Sequence, residues 1–241
     1  AFSSRIQREL NRGALSQNTV MIDGKDQKSP PRVLDLIEYR DLPAEKRVTA
    51  ADRSGLLYDG ARQQRTLCLT DSYLLDVFQV VCDKPRQIDW VMHAMDEKAE
   101  RLYGPESKPI EPPSHETDWA WLRNFKSVAS DTDWRIGWQS HGGSKKALDR
   151  VELRLDVLGS PGTQILECDY PASDRPDSGA IPMLMVRRKA AQTMFAVVYT
   201  AGRGQLAEVK LRALPDREGK LVFAVEQGGR QRLHTVPKLT P

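Results

Sequence analysis

Residues 151–158 read Val-Glu-Leu-Arg-Leu-Asp-Val-Leu (VELRLDVL), alternating apolar and charged side chains without a break. In an extended chain successive side chains point to opposite faces. Val151, Leu153, Leu155 and Val157 therefore share one face, and Glu152, Arg154 and Asp156 share the other. On a helix the same four aliphatics would be spread around the axis. The period is two, and it recurs along the chain. β-rich runs appear at 33–39 (VLDLIEY), 65–70 (RTLCLT), 73–81 (YLLDVFQVV), 89–94 (DWVMHA), 134–139 (WRIGWQ), 183–188 (MLMVRR), 194–200 (MFAVVYT), 208–214 (EVKLRAL), 220–226 (KLVFAVE) and 231–236 (QRLHTV).

Turn chemistry separates these runs: Asp59-Gly60, Asp71-Ser72, Gly142-Gly143, Ser160-Pro161-Gly162, Arg217-Glu218-Gly219 and Gly228-Gly229. Asp71-Ser72 and Asp216–Gly219 predict tight hairpins. Helical signal is confined to Ser4–Leu10 and Met95–Leu102. The expectation is an all-β chain of about a dozen strands with little helix, a large antiparallel two-sheet sandwich forming a single domain over residues 1–241. Tyr103–Ser114 and Tyr170–Pro182, rich in Pro and polar residues, read as long loops.

Composition narrows the function classes. With 36 basic and 33 acidic residues the net charge is +3, and no dense Lys/Arg run with interleaved aromatics is present, so nucleic acid is not the expected partner. No apolar run reaches membrane length. No signal peptide is visible, but the chain opens on Ala1, so that carries no weight on compartment. Cys68, Cys82 and Cys168 are odd in number and form no C-x-x-C pair, against a cysteine-rich zinc site. Cys68 and Cys168 sit in strand-like runs, where a buried free thiol is the default, and one disulfide among the three is left open.

Candidate chemistry is sparse. There is no G-x-S-x-G elbow and no Walker A motif, and Gly202-Arg203-Gly204 is a lone G-x-G with no helix after it. Alternation places Asp89, Val91 and His93 on one strand face, where Asp89 and His93 can share a ligand or a proton. His115, His141 and His234 are remote in sequence, so any metal site requires tertiary convergence. Trp119 and Trp121, on one face if extended, form with Trp134 and Trp138 an aromatic concentration suited either to stacking on sugars or to packing between sheets.

Several segments together resemble the C-terminal β-sheet domain of the heparinase II/III-like and alginate lyase superfamily of polysaccharide lyases. The first is Gln17-Asn18-Thr19-Val20-Met21-Ile22-Asp23-Gly24, similar to a His-Asn-Thr-Val strand followed by Asp-Gly. The second runs from Tyr58-Asp59-Gly60 through Arg65-Thr66-Leu67 and Asp76-Val77-Phe78 to Asp89-Trp90 and His93. The third is Leu184-Met185-Val186-Arg187-Arg188 with Phe195-Ala196-Val197-Val198. The likeness spans about residues 10 to 215.

The resemblance implies a supersandwich-like β domain that packs on an N-terminal helical toroid of the same chain. Together they cleave a uronate-containing acidic polysaccharide by β-elimination: a base takes the C5 proton, the carboxylate is neutralised, and the C4–O bond breaks. The toroid with its catalytic Tyr, His and Arg, and the H-x-H-x-D segment of many members, would lie upstream of Ala1. No catalytic residue is therefore assigned here, and this chain alone is expected to lack activity. Metal-binding members use a histidine of the opening strand for zinc. That position holds Gln17, a poor zinc ligand, so no metal or other cofactor is assigned. Gln17, Asn18, His93 and Arg65 are the candidate substrate-binding residues. A periplasmic or secreted location follows by analogy. The competing reading is a non-catalytic carbohydrate-binding or structural module, with Arg62, Arg65, Arg187 and Arg188 meeting an acidic glycan.

Overall fold

The computed structural model describes residues 5–29, 34–94, 99–114, 116–140, 150–175 and 179–240. Two very long strands organise it: β5 (Leu74–His93, 20 residues) and β12 (Ala180–Arg203, 24 residues). They pair antiparallel, with one break in register: Arg86 faces Ala190 and Val81 faces Gln192, so residues 82–85 stand opposite residue 191 alone. The sequence reads each of these strands as two. The bulge explains why they are one, because surplus residues on one strand bend the ribbon without ending it. Pro85, which has no N–H to donate, falls in the unpaired stretch.

Each half of the ribbon recruits its own neighbours. Before the bend, β5 pairs β4 (Ala61–Leu69), followed by β3 (Glu45–Asp52) and β2 (Asp35–Leu42). The same half of β12 pairs β10 (Val151–Val157), followed by β9 (Trp134–Ser140) and β6 (Glu100–Tyr103). Past the bend, β5 pairs β1 (Val20–Ile22). There β12 pairs β11 (Thr163–Pro171), then β8 (Arg123–Ser130) and β7 (Lys108–Pro109). One twelve-stranded antiparallel sheet thus supplies two facing layers. Phe78, Val80, Leu155, Val157 and Phe195 from one layer and Ile88, Trp90, Ile165 and Val186 from the other form one buried cluster. Trp90 stacks on Phe195 at 6.4 Å.

Both outer faces are covered as well. A three-stranded sheet of β13 (Val209–Arg217), β14 (Lys220–Gln227) and β15 (Arg230–Pro237) lays Leu211, Phe223, Val225 and Val236 over Leu75, Val77, Ala196 and Val198. On the opposite side α1 (Arg5–Glu9) and a 3-10 turn at Ala14–Ser16 bring Ile6, Leu10 and Leu15 against Met21, Val91, Leu166 and Met185. Strands buried on both faces read as continuous apolar runs, which is why YLLDVFQVV alternates poorly.

The 151–158 stretch is buried on both faces too. Leu155 and Val157 enter the inner core, while Arg154 and Asp156 on the other face are also buried. Asp156 accepts from Arg135 Nε at 2.5 Å and Arg154 Nε at 3.1 Å, beside the start of β13. The predicted 216–219 hairpin forms: Arg217 pairs Lys220 across Glu218 (φ 51°) and Gly219 (φ 71°), a two-residue turn of left-handed residues. The Asp71-Ser72 hairpin closes between Leu69 and Leu74. Other expectations change. Of Met95–Leu102, residues 95–98 lie outside the described residues, and Glu100–Tyr103 is an edge strand on β9 and not a helix. Trp119–Trp121 is a 3-10 turn, not a strand. Gly142-Gly143, His115 and His141 lie outside the described residues. The three cysteines are free and buried. No helix among the described residues is long and apolar enough to cross a membrane.

Candidate functional site

β1 enters the second layer immediately after Asn18. The Asn18 side chain closes the free end of β5: its Oδ1 accepts the His93 backbone N–H at 2.9 Å and lies 3.1 Å from His93 Nδ1. An oxygen accepts only, so the neutral imidazole carries its proton on Nδ1, and Nε2 is left as an acceptor. Among the described residues Nε2 is buried without a well-formed hydrogen bond, and the Leu15 backbone lies close enough to the ring to act on its pKa. The ring stands edge-on to Tyr170 at 4.7 Å, and Tyr170 Oη donates to Asn11 Oδ1 at 2.6 Å. Burial drives the His93 pKa down to about 4, outweighing a smaller raising effect of the Leu15 backbone. His93 is a neutral dipole near pH 7 and a weak base.

Arg65 ties this end to the other layer. From β4 it donates Nη1 to the Asn18 carbonyl at 2.7 Å and grips Asp76 of β5 with Nε and Nη2 at 2.9 and 2.7 Å. Its guanidinium lies 5.5 Å from the Phe78 ring centroid. Asp76 is 1% exposed, so the pair is largely desolvated. Arg65, Asn18 and His93 are thus joined in one polar chain anchored on Asp76. Gln17 does not join it: its amide donates to Ser16 Oγ at 2.8 Å, and it lines an open polar cleft of about 610 Å³ with Asn18, Arg12, Asp26 and Lys28.

Other candidates are placed elsewhere. Asp89 and His93 share a strand face as alternation requires, but Asp89 is committed to Arg187 at 2.7 and 3.1 Å and to Gln87 at 3.0 Å. Arg188 is buried, donating to Thr163 Oγ1 and the Met194 carbonyl. Neither arginine is available to a glycan. Trp119, Trp134 and Trp138 are core residues, and only Trp121 of the four is part-exposed, beneath Arg5 at 5.5 Å. Asp76 and Tyr170 were not singled out for a role from sequence. Asp76 does have a signal: a carboxylate inside LLDVF demands a cationic partner once that strand is buried on both faces.

Beside Arg65 the inner face of the sheet lies open. By register Leu36, Tyr39, Val48, Ala50, Arg65, Leu67 and Leu69 point to the same side as Phe78. Among the described residues, β1 beside β5 is the last strand of the second layer on this side, and no strand pairs beyond it over β2–β4. Leu36 is 67% and Tyr39 68% exposed, and Val48, Ala50 and Leu67 are half-buried.

Scanned against protein-family models the chain matches none, and no curated protein matches it. Solved structures do match. The heparinase III BT4657 gene product superposes with a TM-score of 0.68 at 11% identity over 99% of this chain. The fold is that of about a third of the heparinase III chain. A heparan sulfate lyase HepC mutant from Pedobacter heparinus aligns at a TM-score of 0.61 and 13% identity over 94% of this chain, and another heparinase III at 0.57 and 9% over 99%. The chain spans about a third of the length of these heparinase structures, 33%, 31% and 32% respectively.

Proposed function

We propose that this chain is the β-sheet domain of a heparinase-type polysaccharide lyase. It supports β-elimination on a uronate-containing polysaccharide by walling one side of a cleft whose catalytic residues lie on another domain. The observation that carries the reading is the open inner face of β2–β4. It is apolar enough to need covering, and the Asn18–Arg65–Asp76 chain borders it. A neighbouring helical domain covers Leu36, Tyr39 and Leu67. The acidic polysaccharide runs along the polar rim, where Gln17 and the cleft-facing part of Asn18 supply hydrogen bonds. His93 holds Asn18 in place and moves no proton. A periplasmic or secreted location belongs to this reading, since polymeric uronates are met outside the cytoplasm.

The fit to heparinase structures of about three times this length supports a multi-domain lyase. The binding-module reading loses support, because three of the four tryptophans that would stack on sugar are core residues. The test is to express the longest reading frame that contains this chain and to follow the ultraviolet absorbance of unsaturated uronate product on heparan sulfate and alginate. Activity in the long form, none in residues 1–241, and a raised KM in Gln17→Ala of the long form support the proposal. Activity of residues 1–241 alone refutes it.

A further inference from the structure

One tertiary convergence of metal-ligand types is present among the described residues, and it lies away from the site above. β3, β4 and β15 bring Glu45, Cys68 and His234 together where the small sheet rests on the large one, and one donor atom from each lies within 4.8 Å of the other two. Cys68 and His234 are fully buried. Cys68 points away from the inner face that Arg65 occupies, toward Phe223 and Val236. We propose that this cluster binds a zinc-class divalent cation, which clips β15 to β3 and β4.

The donor set is one nitrogen, one sulfur and one carboxylate oxygen, which suits zinc and its borderline-soft relatives more than magnesium or calcium. His234 is oriented for the task. Its Nε2 lies 2.8 Å from Tyr73 Oη. Its Nδ1 points into the cluster, 2.8 Å from Glu45 Oε2, and since that oxygen only accepts, Nδ1 carries the ring proton and Nε2 accepts from the Tyr73 hydroxyl. On metal binding the ring proton moves to Nε2, which donates to Tyr73 Oη, and Nδ1 is freed to offer its lone pair to the metal. Glu45 is likewise divided. One oxygen meets Arg47 Nη2 at 2.6 Å, leaving the other turned to His234. Arg47 is itself held by the Thr235 carbonyl at 2.7 Å.

Binding exchanges a proton for the ion. Burial holds the Cys68 thiol protonated, with its pKa raised to about 11 against the lowering effect of Arg47. The cation displaces that proton to solvent, and Cys68 coordinates as thiolate. Ordinary zinc bond lengths set tetrahedral donors roughly 3.3–3.7 Å apart, so the Glu45–His234 contact widens and the longest separation closes by about 1 Å. Three protein donors leave one position for water. The fixed charge of Arg47 lowers affinity below that of an all-cysteine site.

The experiment uses residues 1–241 stripped with a chelator, titrated with Co²⁺ and then with Zn²⁺. One equivalent of cobalt is expected to give tetrahedral visible bands and a thiolate charge-transfer band in the near ultraviolet. Zinc should abolish both and raise the thermal midpoint. The charge-transfer band should vanish in Cys68→Ser, weaken in His234→Gln, and persist in Cys82→Ser and Cys168→Ser. If Cys68→Ser does not fold, the spectrum and stoichiometry of the unsubstituted chain decide. A folded chain that shows no thiolate–cobalt band, or a band that depends on Cys168 and not on Cys68, overturns the proposal.

Discussion

His93 is half-buried and His234 fully buried, and both hold a pKa below that of free histidine, with burial the leading cause in each. Their surroundings differ. His93 meets an amide oxygen, a tyrosine ring and the Leu15 backbone, with no charged group among the described residues acting on it. His234 sits among Glu45 and Arg47, whose opposite effects partly cancel. The first is a dipole locked at a strand end near an open surface. The second is a node in an ionic cluster sealed between sheets. Burial alone therefore says little about what a histidine does, and the charge of its neighbours says more. The cleft beside His93 sets the amides of Gln17 and Asn18 among Arg12, Asp26 and Lys28.

The largest effect is expected where the His93 end depends on a desolvated ion pair. In Asp76→Ala the Arg65 guanidinium loses its two carboxylate contacts, and in Arg65→Ala the buried carboxylate loses its cation. Breaking a buried pair from one side costs about 3–5 kcal/mol. Urea unfolding should show either single variant destabilised by that amount, with Arg65→Met/Asp76→Leu destabilised less than the sum of the two. A loss below about 1 kcal/mol in both singles would mean that water screens the pair.

The pH dependence comes next. His93 titrates near 4 when folded and near 6.5 as its ordinary value. Its folded-state pKa is depressed, so its contribution to stability is fully present above pH 6.5 and is lost as pH falls toward 4, below which the loss is constant. The magnitude is about 3 kcal/mol at most. Unfolding free energy measured from pH 7.5 down to pH 4 should fall less steeply in His93→Gln than in the parent, since carboxylates contribute equally to both. Identical slopes would show that His93 is hydrated in the folded state. Asn18→Ala should cost less, about 1–2 kcal/mol, by leaving the His93 backbone N–H without its acceptor.

The fold was largely legible because alternation and turn chemistry are local. Glu218-Gly219 and the 151–158 stretch announced a hairpin and a strand on their own. What escaped was the continuity of β5 and β12. It depends on residues 82–85 bulging opposite residue 191, a feature set by two distant segments. The site was partly legible. Asn18, Arg65 and His93 do meet, although nothing in their spacing brings them together; the order of family-like segments suggested it. Arg187 and Arg188 misled because a basic residue in a strand reads as surface until both faces of that strand are covered. The Glu45–Cys68–His234 cluster was invisible, since its members come from strands β3, β4 and β15, which meet only when the small sheet docks.

Gln17 gives the smallest stability effect and the sharpest test of the rim. Among the described residues its side chain bonds the neighbouring Ser16 hydroxyl alone, and it is exposed, so Gln17→Ala should change unfolding free energy by no more than about 0.5 kcal/mol. Asn18 cannot separate binding from folding in this way, because the same side chain supports β5. If the polysaccharide runs along the cleft, Gln17→Ala in the longest reading frame that contains this chain should raise KM while leaving kcat and thermal stability close to the parent. Such a split would assign the amide to substrate and not to the scaffold. A parent-like KM would move the polysaccharide off this rim and leave β2–β4 as a purely interdomain face.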